Sequence, residues 1–203
     1  MKNPMVRFSS FVLLVGLCTA ALPAWADGSE AETRVREANA RLRELLRTDE
    51  TAAEVTELVD SLLDYEGLAR GALAAHWDRL TEAQRTEFLD LFKQLIAKSY
   101  RNSLKDTLDN IAIDFLGWEI TPRNSVVVGT RVRKLHARRR AEILIDYEMH
   151  LVAGIWKLVD VTTDGVSLVE SQRDQFNNII GGAVDFDAGW ADLIGRMRRK
   201  LNE

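Results

Sequence analysis

Asp146 and Asp160 are the residues whose type and spacing could support acid–base chemistry. Each lies in a segment that alternates as a strand does, so the two carboxylates could sit on adjacent strands, as a general acid and base require. The sequence places no histidine, metal cluster or phosphate-binding loop beside them, which leaves a weak site. We therefore expect both aspartates to be structural and the chain not to be an enzyme.

The three histidines do not have the spacing of a metal site. His76, His136 and His150 are far apart, and none has a second histidine four residues away on a helix. The sequence also lacks a Gly-x-Ser-x-Gly elbow, a Walker loop and a Gly-x-Gly-x-x-Gly motif. The single cysteine, Cys18, lies in the N-terminal leader, so the mature chain would have no thiol. We expect neither a metal nor a cofactor.

A basic cluster stands out in a chain whose formal net charge is −4. It would occupy the end of one strand and the turn that follows. Such charges can protect an exposed sheet edge from aggregation. They can also attract lipid phosphates or an acidic partner, and for that role the candidate contacts are Arg133, Arg138, Arg139 and Arg140. The whole cluster is Arg131, Arg133, Lys134, His136, Arg138, Arg139 and Arg140.

Residues 1–26 have the pattern of a secretory signal peptide. Lys2 and Arg7 form the basic region, residues 11–22 form the apolar stretch, and Ala24-Trp25-Ala26 fits a signal peptidase site. The apolar stretch is shorter than the roughly 20 residues that a membrane span needs. We expect residues 27–203 to be exported as one domain, since no linker or repeat divides them.

Helical periodicity covers the first part of the mature chain. Two apolar stripes start at Val35 and Val55, and a third, short helix follows Asp64. The strongest helix begins at Thr81, where Thr81-Glu82-Ala83-Gln84 fits a capping box, and is about 28 residues long. The tail returns to helix, with one helix that ends at Gly181-Gly182 and a last one capped by Asp187.

Residues 124–135, 141–151 and 155–161 alternate between apolar and polar side chains, and residues 115–121 can add a fourth strand. Short turns between consecutive strands indicate an antiparallel meander with one covered face. The sequence therefore predicts an α+β fold, in which long helices pack on one face of a twisted antiparallel sheet of about four strands.

Two stretches carry motifs in a specific order. The first runs from Ala69-Arg70-Gly71-Ala72-Leu73 through Trp77 to Leu80-Thr81-Glu82-Ala83-Gln84-Arg85, and continues with Phe88, Phe92 and Tyr100. The second combines Ile145-Asp146-Tyr147 with residues 154–161 and 164–169, and ends at Arg173-Asp174-Gln175-Phe176. Over about residues 30–201 this order resembles the MlaC, or toluene-tolerance, family of periplasmic phospholipid-binding proteins. Val159 and Asp164 replace the usual tyrosine and glutamate.

The resemblance implies a soluble periplasmic shuttle that carries phospholipid between the inner and outer membranes and helps to maintain outer-membrane lipid asymmetry. Its implied partners are an inner-membrane ABC transporter complex with an MCE-domain protein and an outer-membrane lipoprotein complex. The net negative charge indicates that the chain does not bind nucleic acid, and we expect a monomer. Two other functions stay open, namely a carrier of another apolar ligand such as a hopanoid, and a small NTF2-like enzyme.

A phospholipid carrier needs an apolar cavity, because each CH₂ group left in water costs about 0.8 kcal/mol. We expect this cavity between the apolar face of residues 88–100 and the apolar stripe of the strands. Ordinary close-packed core would use the same residues, and the sequence does not separate the two. The candidate lipid-binding residues are Leu73, Trp77, Phe88, Phe92, Leu95, Ile96, Tyr100, Val126, Val128, Ile145, Tyr147, Met149, Trp156 and Val166.

Overall fold

The structure is a computed structural model that describes residues 28–47, 52–104, 111–123, 125–135 and 142–203. The predicted signal peptide lies outside these ranges. Helices come first, then a meander of strands, then two more helices. The helices are α1 (Gly28–Arg47), α2 (Ala52–Leu62), α3 (Tyr65–Leu73), a 3₁₀ helix (Ala74–Arg79), α4 (Glu82–Leu104), α5 (Leu168–Gly181) and α6 (Phe186–Asn202). The strands are β1 (Ile111–Ile120), β2 (Val126–Lys134), β3 (Glu142–Val152), β4 (Ile155–Thr163) and β5 (Val166–Ser167).

The predicted helix starts are confirmed at α3 and α4. The Asp64 carboxylate accepts a hydrogen bond from the Gly67 amide at 3.0 Å. At α4 the capping box closes in both directions, because the Thr81 amide donates to Gln84 Oε1 at 2.9 Å and the Gln84 amide donates to Thr81 Oγ1 at 3.3 Å. The last four residues of the helix predicted from Thr81 lie outside the described ranges.

The last helix begins two residues earlier than the sequence predicts. Asp185, not Asp187, is its N-cap, with an extended backbone and a carboxylate that accepts from the Ala188 amide at 2.8 Å. Asp187 lies in the first turn, where a negative charge favours the helix dipole. Helix α5 stops at Gly181 with Gly182 as its C-cap, as predicted.

The α+β prediction is confirmed, with five antiparallel strands in the order β1-β2-β3-β4-β5 instead of about four. The possible strand at 115–121 is the second half of β1. The short β5 is not predicted by the sequence. Val128 lies opposite Trp118 on β1 and Tyr147 on β3, and these alternating positions define one face of the sheet, which we call the inner face.

The buried residues form two separate cores. The helical core lies among α3, the 3₁₀ helix, α4, α5 and α6, and its members are Leu68, Ala69, Ala72, Leu73, Trp77, Leu80, Phe88, Phe92, Val169, Phe176, Ile180, Trp190, Leu193, Ile194 and Met197. The sheet core lies where α1 crosses the inner face, and its members are Ala31, Val35, Val126, Val128, Met149 and Trp156. A backbone hydrogen bond of 3.0 Å from the Asp64 amide to the Leu158 carbonyl links the start of α3 to β4.

Candidate functional site

The structure does not bring the two halves of the predicted cavity together. Phe88 and Phe92 point into the helical core, where the Phe88 ring lies 5.7 Å from Phe176 and 5.9 Å from Trp190. The prediction that this face of α4 opposes the sheet is therefore wrong for both phenylalanines. A periodic apolar stripe shows that a face is buried but does not show which element covers it.

The other predicted lipid-binding residues divide in the same way. On the helical side, Leu73 and Trp77 are buried, and Leu95 and Ile96 pack against the helical core. On the sheet side, Val126, Val128, Met149 and Trp156 are buried in the sheet core, Tyr147 packs against it and Ile145 is half-buried. Val166 is exposed on β5, and the side chain of Tyr100 lies outside the described part of the chain.

Helix α1 covers the sheet core. Its residues Ala31 and Val35 are buried against the inner face. Two hydrogen bonds from Arg34 hold the helix in place, from Nε to the Trp156 carbonyl at 3.0 Å and from Nη2 to the Ser61 carbonyl at 2.9 Å. The apolar stripe of α1 is visible in the sequence, but helical periodicity alone does not show which element a helix packs against, so the sequence does not place α1 in the site.

The Tyr147 phenol is a polar group beside the apolar side chains of the sheet core. The Tyr147 phenol forms hydrogen bonds with the side chains of Asn39 on α1 and Thr130 on β2. Burial raises the pKa of Tyr147, and these two hydrogen bonds only partly offset that effect, so the phenol stays protonated at neutral pH. Thr130 is itself buried and donates to the Ile145 carbonyl at 2.9 Å. Tyr147 therefore ties α1 to the centre of the inner face.

Trp156 carries a buried donor in the sheet core. Its indole N–H has no acceptor among the residues that the structure describes. The same holds for the indole N–H of Trp77 in the helical core. A buried donor without a partner costs about 1–3 kcal/mol. The sheet core thus offers one hydrogen bond to an acceptor that enters it.

The inner face is only partly covered. Ile113, Ile143 and Ile145 are half-buried there. At the end where α1 begins, Trp118, Ile120 and Leu151 are exposed. Trp118 and Ile120 are not recognisable from the sequence, because a β-bulge between Phe115 and Gly117 interrupts the alternation of β1.

The two aspartates with candidate catalytic spacing are not a pair. Asp146 lies opposite Thr162, while Asp160 lies opposite Glu148. Asp160 accepts hydrogen bonds from the amides of Val161 and Val169 and from Ser167 Oγ, so its carboxylate joins β4 to the start of α5. Burial raises the pKa of Asp146, and the charge of Glu119 raises it further.

Two arginines in the described part of the basic cluster contact acidic side chains. Arg133 contacts Asp114 Oδ2 through Nη2 at 2.7 Å, and Arg131 Nε lies 3.6 Å from Glu142 Oε2. Both pairs are on the surface, where such contacts contribute little to stability. Arg138, Arg139 and Arg140 lie outside the described ranges, so their predicted headgroup or partner contact remains a prediction.

The described residues include neither a metal-binding cluster nor a membrane-spanning helix. No group of three or more histidine, cysteine, aspartate or glutamate side chains within these ranges could hold a metal ion. No helix within them is long and apolar enough to cross a membrane. An open groove of about 710 Å³ lies between α4 and α6, and Glu82, Glu87, Asp90, Leu91 and Arg198 line it.

Comparisons with known proteins give the same fold and a family. A solved structure of the phospholipid-binding protein from Ralstonia solanacearum, in complex with a phospholipid, superposes with a TM-score of 0.68 at 21% identity. The match covers 87% of this chain and 98% of that one, and shows the fold. No curated protein matches the sequence. The sequence profile of the MlaC protein family matches residues 33–198, so the chain belongs to the MlaC family.

Proposed function

We propose that the protein binds phospholipid in the periplasm and shuttles it between the outer and inner membranes. In this role it exchanges lipid with an MCE-domain ABC transporter complex at the inner membrane and with a lipoprotein complex at the outer membrane, and it catalyses no reaction. Membership of the MlaC family and the phospholipid bound to a protein of similar fold support this proposal.

The separation of the two cores is the observation that carries the proposal. The helical core is closed by its own aromatic contacts, such as that between Phe88 and Phe176, and can stabilise the fold without the inner face. The inner face keeps half-buried apolar side chains, including Ile143 and Ile145, beside the sheet core. Half-buried apolar side chains also border the helical core, but those of the inner face adjoin the exposed apolar side chains at the end where α1 begins, and together they form an apolar surface of the kind that receives a ligand.

The chemistry of a diacyl phospholipid matches this surface. With about 30 CH₂ groups, its chains would lose on the order of 24 kcal/mol of apolar burial if the lipid crossed water alone. The half-buried isoleucines can take up such chains. The unpaired N–H of Trp156 can donate to an ester carbonyl, which is the acceptor that lies nearest to the acyl chains in such a lipid.

The first test is the content of protein purified without detergent. We expect phospholipid at close to one molecule per chain, measured by mass spectrometry of the extracted lipid. Ile145→Trp on the half-buried inner face should lower that content about tenfold, a change of about 1.4 kcal/mol in binding. Phe88→Leu in the helical core is the matched control and should leave the content per folded protein unchanged.

Other contents would contradict the proposal. A bound triterpenoid would make the protein a carrier of a different apolar ligand. Protein that remains empty after incubation with phospholipid vesicles would exclude phospholipid carriage. The transport role is tested separately by transfer of fluorescent phospholipid between vesicles that hold the purified transporter and acceptor vesicles, which should require the protein.

A further inference from the structure

The turn between β3 and β4 is built entirely from apolar residues that are exposed. Leu151, Val152, Ala153, Gly154 and Ile155 are all exposed. Exposed hairpin turns normally use asparagine, aspartate or glycine, which tolerate a positive φ and bond to water. Here Ala153 takes a φ of +50°, in the left-handed region that such a residue rarely adopts. Gly154, with a φ of +80°, meets the ordinary demand of such a turn, so the unusual features are Ala153 and the exposed apolar side chains on either side of the turn.

A second hairpin brings more apolar surface to the same end of the sheet. Val126 pairs with Ile120 on one side and with Met149 on the other, so the β1–β2 turn lies near the β3–β4 turn. We call the exposed apolar residues at this end the apolar tip. They are Trp118, Ile120, Leu151, Val152 and Ile155, with exposed fractions of 40%, 58%, 47%, 40% and 49%.

The apolar tip presents apolar surface on both faces of the sheet. Leu151 pairs with Trp156 and lies on the inner face, whereas Val152 pairs with Ile155 on the opposite face. A flat partner surface would cover one of these faces and leave the other in water. A fluid apolar medium covers both.

We propose that the apolar tip inserts into the acyl-chain region of a lipid bilayer. The inference rests on the proposed function, since both complexes with which the protein would exchange lipid lie at membranes. Trp118 is of the residue type enriched at membrane interfaces, and the exposed Arg123 in the β1–β2 turn supplies a positive charge for lipid phosphates.

The tip is also continuous with the surface proposed to hold the cargo. On the inner face, the row Trp118, Val128, Tyr147 leads from the exposed end into the sheet core. The row Ile120, Val126, Met149 does the same. An inserted tip would therefore place the membrane's acyl chains at one end of an unbroken apolar path to the sheet core.

The test compares vesicle binding of three full-length mature proteins. The variant V152D/I155D places charge on the tip at exposed positions, so the fold should tolerate it. The matched control is Val184→Asp, which changes a residue that is 94% exposed in the α5–α6 connection. With vesicles of phosphatidylcholine and phosphatidylglycerol, we expect the tip variant to lose about tenfold in partition coefficient and the control to equal the parent.

Three results would overturn the proposal. The first is equal vesicle binding by V152D/I155D and the parent. The second is vesicle binding by the parent that disappears at high salt. Salt screens contacts of the basic cluster with lipid phosphates, but it does not screen apolar insertion. The third is a parent that sediments as a dimer and a tip variant that sediments as a monomer, which would make a second copy the occupant. Phospholipid content after purification is measured on the same samples, so that loss of binding to membranes is distinguished from loss of cargo.

Discussion

Gly28 lies directly against the indole ring of Trp118. A Cβ added to Gly28 would come within 2.2 Å of Trp118 Cε3, much closer than any real carbon contact. The first residue of α1 therefore fits on β1 only because it is a glycine, and this contact sets where α1 starts its path over the inner face.

We expect Gly28→Ala to lower the free energy of unfolding by about 1–3 kcal/mol, because the ring or the helix start must move. In a double-mutant cycle, Trp118→Ala should remove most of that penalty, since the two residues are in direct contact. Gly181→Ala is the control, because a Cβ added there meets nothing within 4 Å. Urea titrations measure all four changes. A penalty at Gly28 that persists without the Trp118 ring would contradict the contact.

The Asp160 carboxylate joins β4 to the start of α5, so its replacement should change the stability of the fold and not the affinity for phospholipid. Asp160→Asn weakens the hydrogen bonds that the Val169 amide and the Ser167 hydroxyl donate to this side chain. We expect the free energy of unfolding to fall by about 1–3 kcal/mol. Phospholipid affinity should stay within about threefold, or about 0.7 kcal/mol. The exposed Asp174→Asn on α5 is the matched control for stability. Turnover of any lipid or ester that vanishes in Asp160→Asn would contradict the proposal that the protein catalyses no reaction.

Local signals in the sequence predict the elements well. The reciprocal hydrogen bonds of Thr81 and Gln84 depend on three residues of chain and are visible without tertiary information. The alternation of Val126, Val128, Thr130 and Val132 identifies the inner face of β2, and all four are buried. The sequence predicts Asp187 as the N-cap of α6 and the structure has Asp185, because two aspartates two residues apart both fit the start of the same helix.

The sequence does not predict which elements pack against one another when they are far apart in the chain. The stripe that contains Phe88 and Phe92 would read the same whether it faced a sheet or other helices, and the structure places it against Phe176 and Trp190. The sequence does not predict the apolar tip either. Leu151 and Ile155 fit the pattern of strand ends, and only the register shows that they meet Ile120 at one exposed end.

The raised pKa of Asp146 predicts how the stability of the fold changes with pH. Burial and then Glu119 raise its pKa in the folded state, so its ionised form disfavours folding. The stability associated with the protonated carboxyl is complete below the ordinary pKa of 3.8 and is lost as pH rises through the raised value. Asp146→Asn should therefore increase the urea midpoint at pH 7 and leave it unchanged in acid. A lower midpoint at pH 7 would contradict this sign.

Asp60 provides the opposite case and serves as the comparison. Its burial raises the pKa, but hydrogen bonds from Lys93 and Tyr65 and the charge of Lys93 bring it below 3.8 on balance. This stabilisation is complete above the ordinary pKa and is lost as pH falls through the lowered value. Asp60→Asn should thus reduce the urea midpoint at pH 7, and the difference from the parent should disappear in strong acid. Equal midpoints at pH 7 would show that the contacts with Lys93 and Tyr65 do not stabilise the fold.

The independence of the two cores can be tested by damaging each in turn. Phe88→Ala removes a fully buried ring from the helical core and should cost about 3–5 kcal/mol. Val128→Trp adds bulk to the sheet core under Ala31 and Val35, and should cost about 1–3 kcal/mol.

If phospholipid binds at the sheet core, saturating lipid should raise the stability of the parent and of Phe88→Ala by the same increment, because ligand linkage depends only on affinity. The same lipid should leave Val128→Trp unchanged. The measurement is denaturant titration of delipidated protein with and without added phospholipid, and loss of the lipid increment in folded Phe88→Ala would place the cargo in the helical core instead.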